Sequence, residues 1–159
     1  MAGINVKTFG GCARLCKRAA RLVLREPGKA LLLTRMTAWV GALSLLIRAL
    51  PLPAAMSVLT PLRRRPPARA DAAALEARIA ELLDALLATD VLFLTPTCWK
   101  RAPVLYRFLA LEGVETRVVF GVRKEGQGFL AGHAWLEAGG RPLFEKTQPD
   151  YKVTFSFPN

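Results

Sequence analysis

Residues Thr95–Phe108 read TPTCWKRAPVLYRF: a polar turn, a cysteine, and then apolar residues at helical spacing. Thr95-Pro96-Thr97 punctuates the chain. From Cys98 onward Ala102, Leu105, Tyr106 and Leu109 share one helical face, while Lys100, Arg101 and Arg107 lie elsewhere on the surface. Gly113 is a natural C-terminal stop. This reading puts Cys98 at a helix start, where unpaired N–H groups and the positive end of the helix dipole favour the thiolate, the reactive form of cysteine. Pro103 removes a backbone hydrogen bond beyond the first turn, so an irregular or kinked start is expected.

A nucleophilic thiol needs a base, and the chain has one histidine, His133. It lies in FLAGHAWLEAGGRPLFE, residues 129–145, which reads as two short strands joined by a Gly-Gly turn and preceded by a third apolar run, RVVFGV. Alternation puts His133, Trp135 and Glu137 on one face of their strand. With a three-residue loop, Ala138-Gly139-Gly140, Glu137 faces Arg141, Trp135 faces Leu143 and His133 faces Glu145, so a carboxylate arrives beside the imidazole. A two-residue Gly139-Gly140 loop pairs Ala138 with Arg141 instead and turns Glu145 to the opposite face. The three-residue loop is the expectation adopted, because such loops with a left-handed glycine are common.

Upstream of the cysteine, VLFLTPT reads as a short buried strand or the tail of a turn. Before it, Asp71 is an N-cap for a helix to about Ala88, whose Leu75, Ile79, Leu82 and Leu86 repeat at steps of four, three and four. TPLRRRPPARA, Thr60 to Ala70, is Pro-rich and basic and reads as a linker, so the chain divides into 1–70 and 71–159. Within the first part Leu31 to Leu50 is a long apolar segment ended by Pro51 and Pro53. Its charge-free run between Arg35 and Arg48 is 12 residues, shorter than the roughly 20 that cross a bilayer, which predicts a buried or interfacial helix rather than a span. Pro27 and Gly28 separate it from a basic amphipathic helix at about Cys12 to Arg25, with Arg14, Arg18, Arg21 and Arg25 on one face.

The net charge of +11 is uneven. Residues 1–70 carry 13 Lys/Arg against one acidic residue, and residues 71–159 carry 10 against 11. Neither an aromatic-interleaved basic patch nor a zinc or helix-turn-helix signature accompanies the charge, so no nucleic-acid partner is expected. A peripheral membrane contact through residues 11–56 fits the apolar and basic pattern better. The three cysteines, Cys12, Cys16 and Cys98, are an odd number, and the chain does not open with a signal peptide, which predicts free thiols in a cytoplasmic setting. Cys12 and Cys16 are spaced one helical turn apart but have no further ligands nearby, so apolar packing rather than a metal site is expected.

A cysteine on a helix, a histidine on a strand and an acid on the next strand form the set Cys98, His133 and Glu145, an order found in transglutaminase-like cysteine peptidases. TCWKRAPVLYRFLALEG, VVFGVRKEG and GHAWLEAGGRPLFE resemble the leader peptidases of lasso-peptide biosynthesis, relatives of the C-terminal domain of the microcin-processing B protein. The resemblance covers about residues 71–159, and the N-terminal part matches it only in apolar, arginine-rich character. It implies an α+β chain: N-terminal helices, then a papain-like or transglutaminase-like core in which the Cys98 helix packs on a small antiparallel sheet. It implies Cys98 as nucleophile and His133 as base and then acid. The family's third residue is usually an aspartate, so Glu145 is a departure, with Asp150 in reserve. The implied partners are a precursor peptide, a separate leader-binding recognition-element protein and an ATP-dependent lasso cyclase. The triad chemistry requires no metal or organic cofactor. Two other classes fit the same residues: a transglutaminase-like acyltransferase or amidase, and a non-catalytic adaptor held at a membrane by its basic helices.

Overall fold

The computed structural model describes residues 26–62, 72–91, 93–126 and 128–158. The expected Cys12–Arg25 helix, the Cys12/Cys16 pair, most of the linker and the Asp71 cap lie outside the described residues. The chain forms two compact units, Met1–Met36 and Thr37–Asn159. Of the first, the described part holds the start of helix α1 (Pro27–Ala49), where Lys29 lies 3.6 Å from the Glu26 carboxylate and the Thr34 hydroxyl donates to the carbonyl of Ala30.

Helix α1 begins earlier than the apolar run suggests. Pro27 takes the first helical position, where its missing N–H costs nothing, and Gly28 is carried inside the helix. At 23 residues α1 is long and apolar enough to cross a membrane by length and composition. Beyond it lies an element the sequence reading did not expect, helix α2 (Leu52–Leu59). Pro51 precedes it and Pro53 sits in its first turn, so the two prolines that end one helix start the next. Ala55, Met56 and Leu59 of α2 are buried, as are Val40 and Leu43 of α1. Two hydrogen bonds and a cation–π contact fasten this pair to the core: Arg107 donates to the Leu59 carbonyl at 2.6 Å and lies over the Trp39 ring at 3.6 Å, and the Thr60 and Tyr106 hydroxyls meet at 3.2 Å.

Helix α3 (Ala72–Leu87) buries Ile79, as expected, but Leu83 and Leu87 in place of Leu82 and Leu86, which with Leu75 are half-buried. Helix α4 (Cys98–Leu111) is one continuous helix with Pro103 inside it, a residue that has no N–H to donate. Gly113, at φ +80°, closes α4: its N–H reaches Ala110 and that of Val114 reaches Leu109, which satisfies the last carbonyls. Among the described residues before α4 there is a turn and no strand: the Leu94 N–H donates to the Val91 carbonyl at 3.0 Å, and Leu94 is buried.

The sheet has four antiparallel strands in the order β3-β2-β1-β4. These are β1 (Arg117–Glu125), β2 (Phe129–Ala138), β3 (Arg141–Leu143) and β4 (Lys152–Phe157). Strand β4 lies outside the elements that the sequence pattern predicts, although Thr154, Phe155, Ser156 and Phe157 alternate hydroxyl-bearing and aromatic residues. Helix α4 packs on β2 and β1, and Tyr106 meets Phe157 edge-on at 6.0 Å. The architecture is α+β, with N-terminal helices before a cysteine-bearing helix on a small antiparallel sheet.

Candidate active site

Thr97 is extended (φ −134°, ψ 142°), and its carbonyl receives the N–H groups of both Lys100 and Arg101 at 3.1 and 3.0 Å. The N–H groups of Cys98 and Trp99 precede this first intrahelical bond, and the Thr97 side chain makes no capping bond to the helix. The half-buried Cys98 thiol therefore sits where the helix offers unpaired donors and positive potential. It lines a cleft of about 330 Å³ with Asp84, Leu87, Pro96 and Arg101.

His133 lies in β2 opposite Gly121 of β1. Its ring stacks on Trp135 at 5.8 Å and 18°, and Tyr151 covers it at 5.2 Å. Trp135 is fixed in turn, because its indole N–H donates to Glu137 Oε1 at 3.0 Å while Arg117 donates twice to Glu137 Oε2, at 2.8 and 2.6 Å. His133, Trp135 and Glu137 thus share a face, as alternation predicts. Gly121 makes the cluster possible: a Cβ there would lie 2.7 Å from Tyr151 Cβ and 3.1 Å from the Trp135 ring. Neither Gly121 nor Tyr151 was singled out from the sequence. A glycine inside a strand was the available signal, since it marks a close approach.

The hairpin corrects the expected loop. Ala138 pairs with Arg141, Glu137 with Pro142 and Leu136 with Leu143, so the turn is the two-residue Gly139-Gly140. Both glycines have positive φ, +56° and +77°, and a two-residue turn with that handedness matches the twist of the flanking strands. Continued regularly, this register would turn Glu145 away from His133. Strand β3 instead ends at Leu143, and Phe144 enters the left-handed region at φ +62°. That single reversal brings Glu145 Oε2 to 3.5 Å from His133 Nε2, with both side chains about three-quarters buried. Asp150 is exposed and its neighbouring charge is Arg123, so of the two acids considered it is Glu145 that stands beside the imidazole.

Arg101, one turn along α4 from Cys98, links the thiol's helix to this pair. It holds Asp84 through two bonds of 2.6 and 2.9 Å and lies 5.9 Å from the Phe144 ring. The Asp84 hydrogen bonds raise its pKa above the ordinary arginine value; burial opposes them, and the charges of Asp84 and then Glu145 add to them. Among the described residues no three His, Cys, Asp or Glu side chains gather as a metal site requires. The arrangement supplies a thiol at a helix N-terminus, an imidazole held on three sides, and a carboxylate on its Nε2 edge.

A protein-family model described as the transglutaminase-like superfamily matches residues 31–156. No curated protein and no solved structure gives a match.

Proposed function

The chain belongs to the transglutaminase-like superfamily, and from that premise we propose that it is a cysteine peptidase that removes the leader from a ribosomally made lasso-peptide precursor. The observation that carries the chemistry is the His133–Glu145 contact at 3.5 Å, on a sheet that packs against the helix begun by Cys98. With Glu145 on Nε2, the Nδ1 edge of His133 is left to exchange a proton with the thiol. Cys98 Sγ gives its proton to His133 and attacks the scissile carbonyl. The resulting oxyanion is met by the N–H groups that open α4, that of Cys98 first. His133 then protonates the departing amine, which leaves an acyl-thioester on Cys98. It next takes a proton from water, whose oxygen attacks the thioester, and returns that proton to the sulfur as the acid departs.

In this reading residues 71–159 carry the peptidase core, and residues 1–70 dock partners: the leader-binding recognition-element protein and the ATP-dependent cyclase that closes the ring on the freed core peptide. The sequence resemblance supports that assignment. A cytoplasmic setting follows the sequence reading alone, and a peripheral membrane contact through residues 11–56 is supported by α1, whose 23 residues are mostly apolar.

The test is to incubate the purified protein with the precursor peptide and recognition-element protein encoded beside it, following the precursor by mass spectrometry for wild type and Cys98→Ala. Leader release by the wild type alone supports the reading. Intact precursor with both, from folded protein, overturns it. Transfer of the acyl group to an added amine in place of water would assign the thiol to an acyltransferase, and function undiminished in Cys98→Ala would assign the chain to an adaptor.

A further inference from the structure

Trp99 follows Cys98 in the chain but faces a different space. Cys98 lines the smaller cleft, whereas Trp99 and Lys100 line a groove of about 810 Å³ whose other wall is the C-terminal half of α1. The volume is that of a site for a ligand of several residues or a drug-sized molecule. Its surface is mostly apolar, from Leu45, Ile47, Phe93 and Trp99. Leu45 and Phe93 are 67% and 39% exposed, much apolar area for a surface to leave in water.

The groove's charges are the decisive feature. Among the described residues that line it, the charged groups are Lys100 and Arg48, both cationic. Lys100 is 8% exposed. Its ammonium donates to the Phe93 carbonyl at 2.9 Å and lies 5.8 Å from the Trp99 ring. An ammonium has three donors, and a charge this deep gains most from an anion. Arg48, exposed at the end of α1, makes no ion pair among the described residues. An apolar floor beneath two cations complements a ligand that joins an apolar group to an anion.

We propose that this groove is a substrate subsite for a peptide segment in which one large apolar side chain stands beside a carboxylate. The proposal rests on the peptidase reading and narrows its substrate class. Cys98 and Trp99 are consecutive residues that line the two spaces, so a peptide with its scissile carbonyl at Cys98, advancing about 3.3 Å per residue, has the groove within a few residues of the cut. The apolar side chain packs among Leu45, Ile47, Phe93 and Trp99, and the carboxylate meets Lys100, with Arg48 adding charge at the rim.

The test uses full-length Cys98→Ala protein and three fluorescein-labelled hexapeptides that differ only in a central pair: Leu-Glu, Leu-Gln or Ser-Glu. Fluorescence anisotropy should show the Leu-Glu peptide binding about ten-fold more tightly than either of the others. Leu45→Asp and Lys100→Met should each abolish that preference. Because Lys100→Met also removes the bond to the Phe93 carbonyl, Leu45→Asp, at an exposed position, is the decisive variant. Equal affinities, no binding, or a preference untouched by Leu45→Asp would overturn the proposal. Binding to phosphatidylglycerol vesicles that Leu45→Asp abolishes, without any peptide preference, would overturn it in favour of a membrane contact. Leader release is read separately from these affinities, so the subsite can fail while the peptidase reading stands.

Discussion

Glu145 reaches His133 although the hairpin register directs it to the other face of the sheet. The contact of 3.5 Å depends on Phe144 leaving the strand at φ +62°. A left-handed conformation at a bulky residue costs about 1–2 kcal/mol, so the surrounding structure must hold it. Arg101, fixed by Asp84 and lying 5.9 Å from the Phe144 ring, is one such restraint.

The proposed nucleophile and base, Cys98 and His133, are tested directly. Cys98→Ala and His133→Ala should each lower leader release to background while far-UV circular dichroism and the thermal midpoint stay close to wild type. Turnover by Cys98→Ala at the wild-type rate would remove the peptidase reading.

In the proposed mechanism Glu145 orients His133 and does not react. Glu145→Ala should reduce kcat by about 10- to 100-fold, less than either loss above, and Glu145→Gln should retain more activity because an amide oxygen can still accept from Nε2. Full activity in Glu145→Ala would reduce the set to a dyad or move the role to Asp150.

The Phe144 turn separates conformation from side-chain chemistry. Phe144→Gly should keep activity near wild type, since glycine adopts positive φ without strain. Phe144→Val should lower kcat toward the Glu145→Ala level, since a β-branched residue resists that conformation and would release Glu145. Equal kcat in the two variants would show that the turn does not govern the contact.

Gly121 is where space is most restricted. Gly121→Ala would place a methyl group 2.7 Å from Tyr151 Cβ. Overpacking of this kind costs about 1–3 kcal/mol, so the thermal midpoint should fall by several degrees, with activity falling as Tyr151 moves off His133. An unchanged midpoint would contradict the close packing.

Trp135 is held by one hydrogen bond from its indole N–H to the buried Glu137 carboxylate at 3.0 Å. Trp135→Phe should cost about 1 kcal/mol or somewhat more in urea unfolding, because Glu137 keeps its two bonds from Arg117 but loses a donor. No change in stability would mean that the bond contributes nothing net.

Much of the site was legible from the residues. The cysteine at a helix start, the Gly113 stop and the common face of His133, Trp135 and Glu137 follow from periodicity, capping and alternation, which are local properties of the chain. The helix at residues 52–59 was hidden because two prolines read as breakers at one end and as starters at the other. Beyond Ile79 the buried stripe of α3 is displaced by one residue because adjacent leucines, at 82 and 83 and at 86 and 87, let either face turn inward until a partner chooses between them.

What the sequence alone determined, then, is the set of chemical groups and the local elements that carry them: the thiol, the imidazole, the two acids and the strand-turn-strand around Gly139-Gly140. Tertiary structure decided how they meet. Turn length sets the register of a hairpin, and a one-residue change flips every following side chain, so the sequence pattern alone could not place Glu145. Its place was decided by the reversal at Phe144, against which Arg101 of α4 lies, and by the space that Gly121 leaves for Tyr151 and Trp135 around His133. These are contacts between residues far apart in the chain, and no local periodicity encodes them.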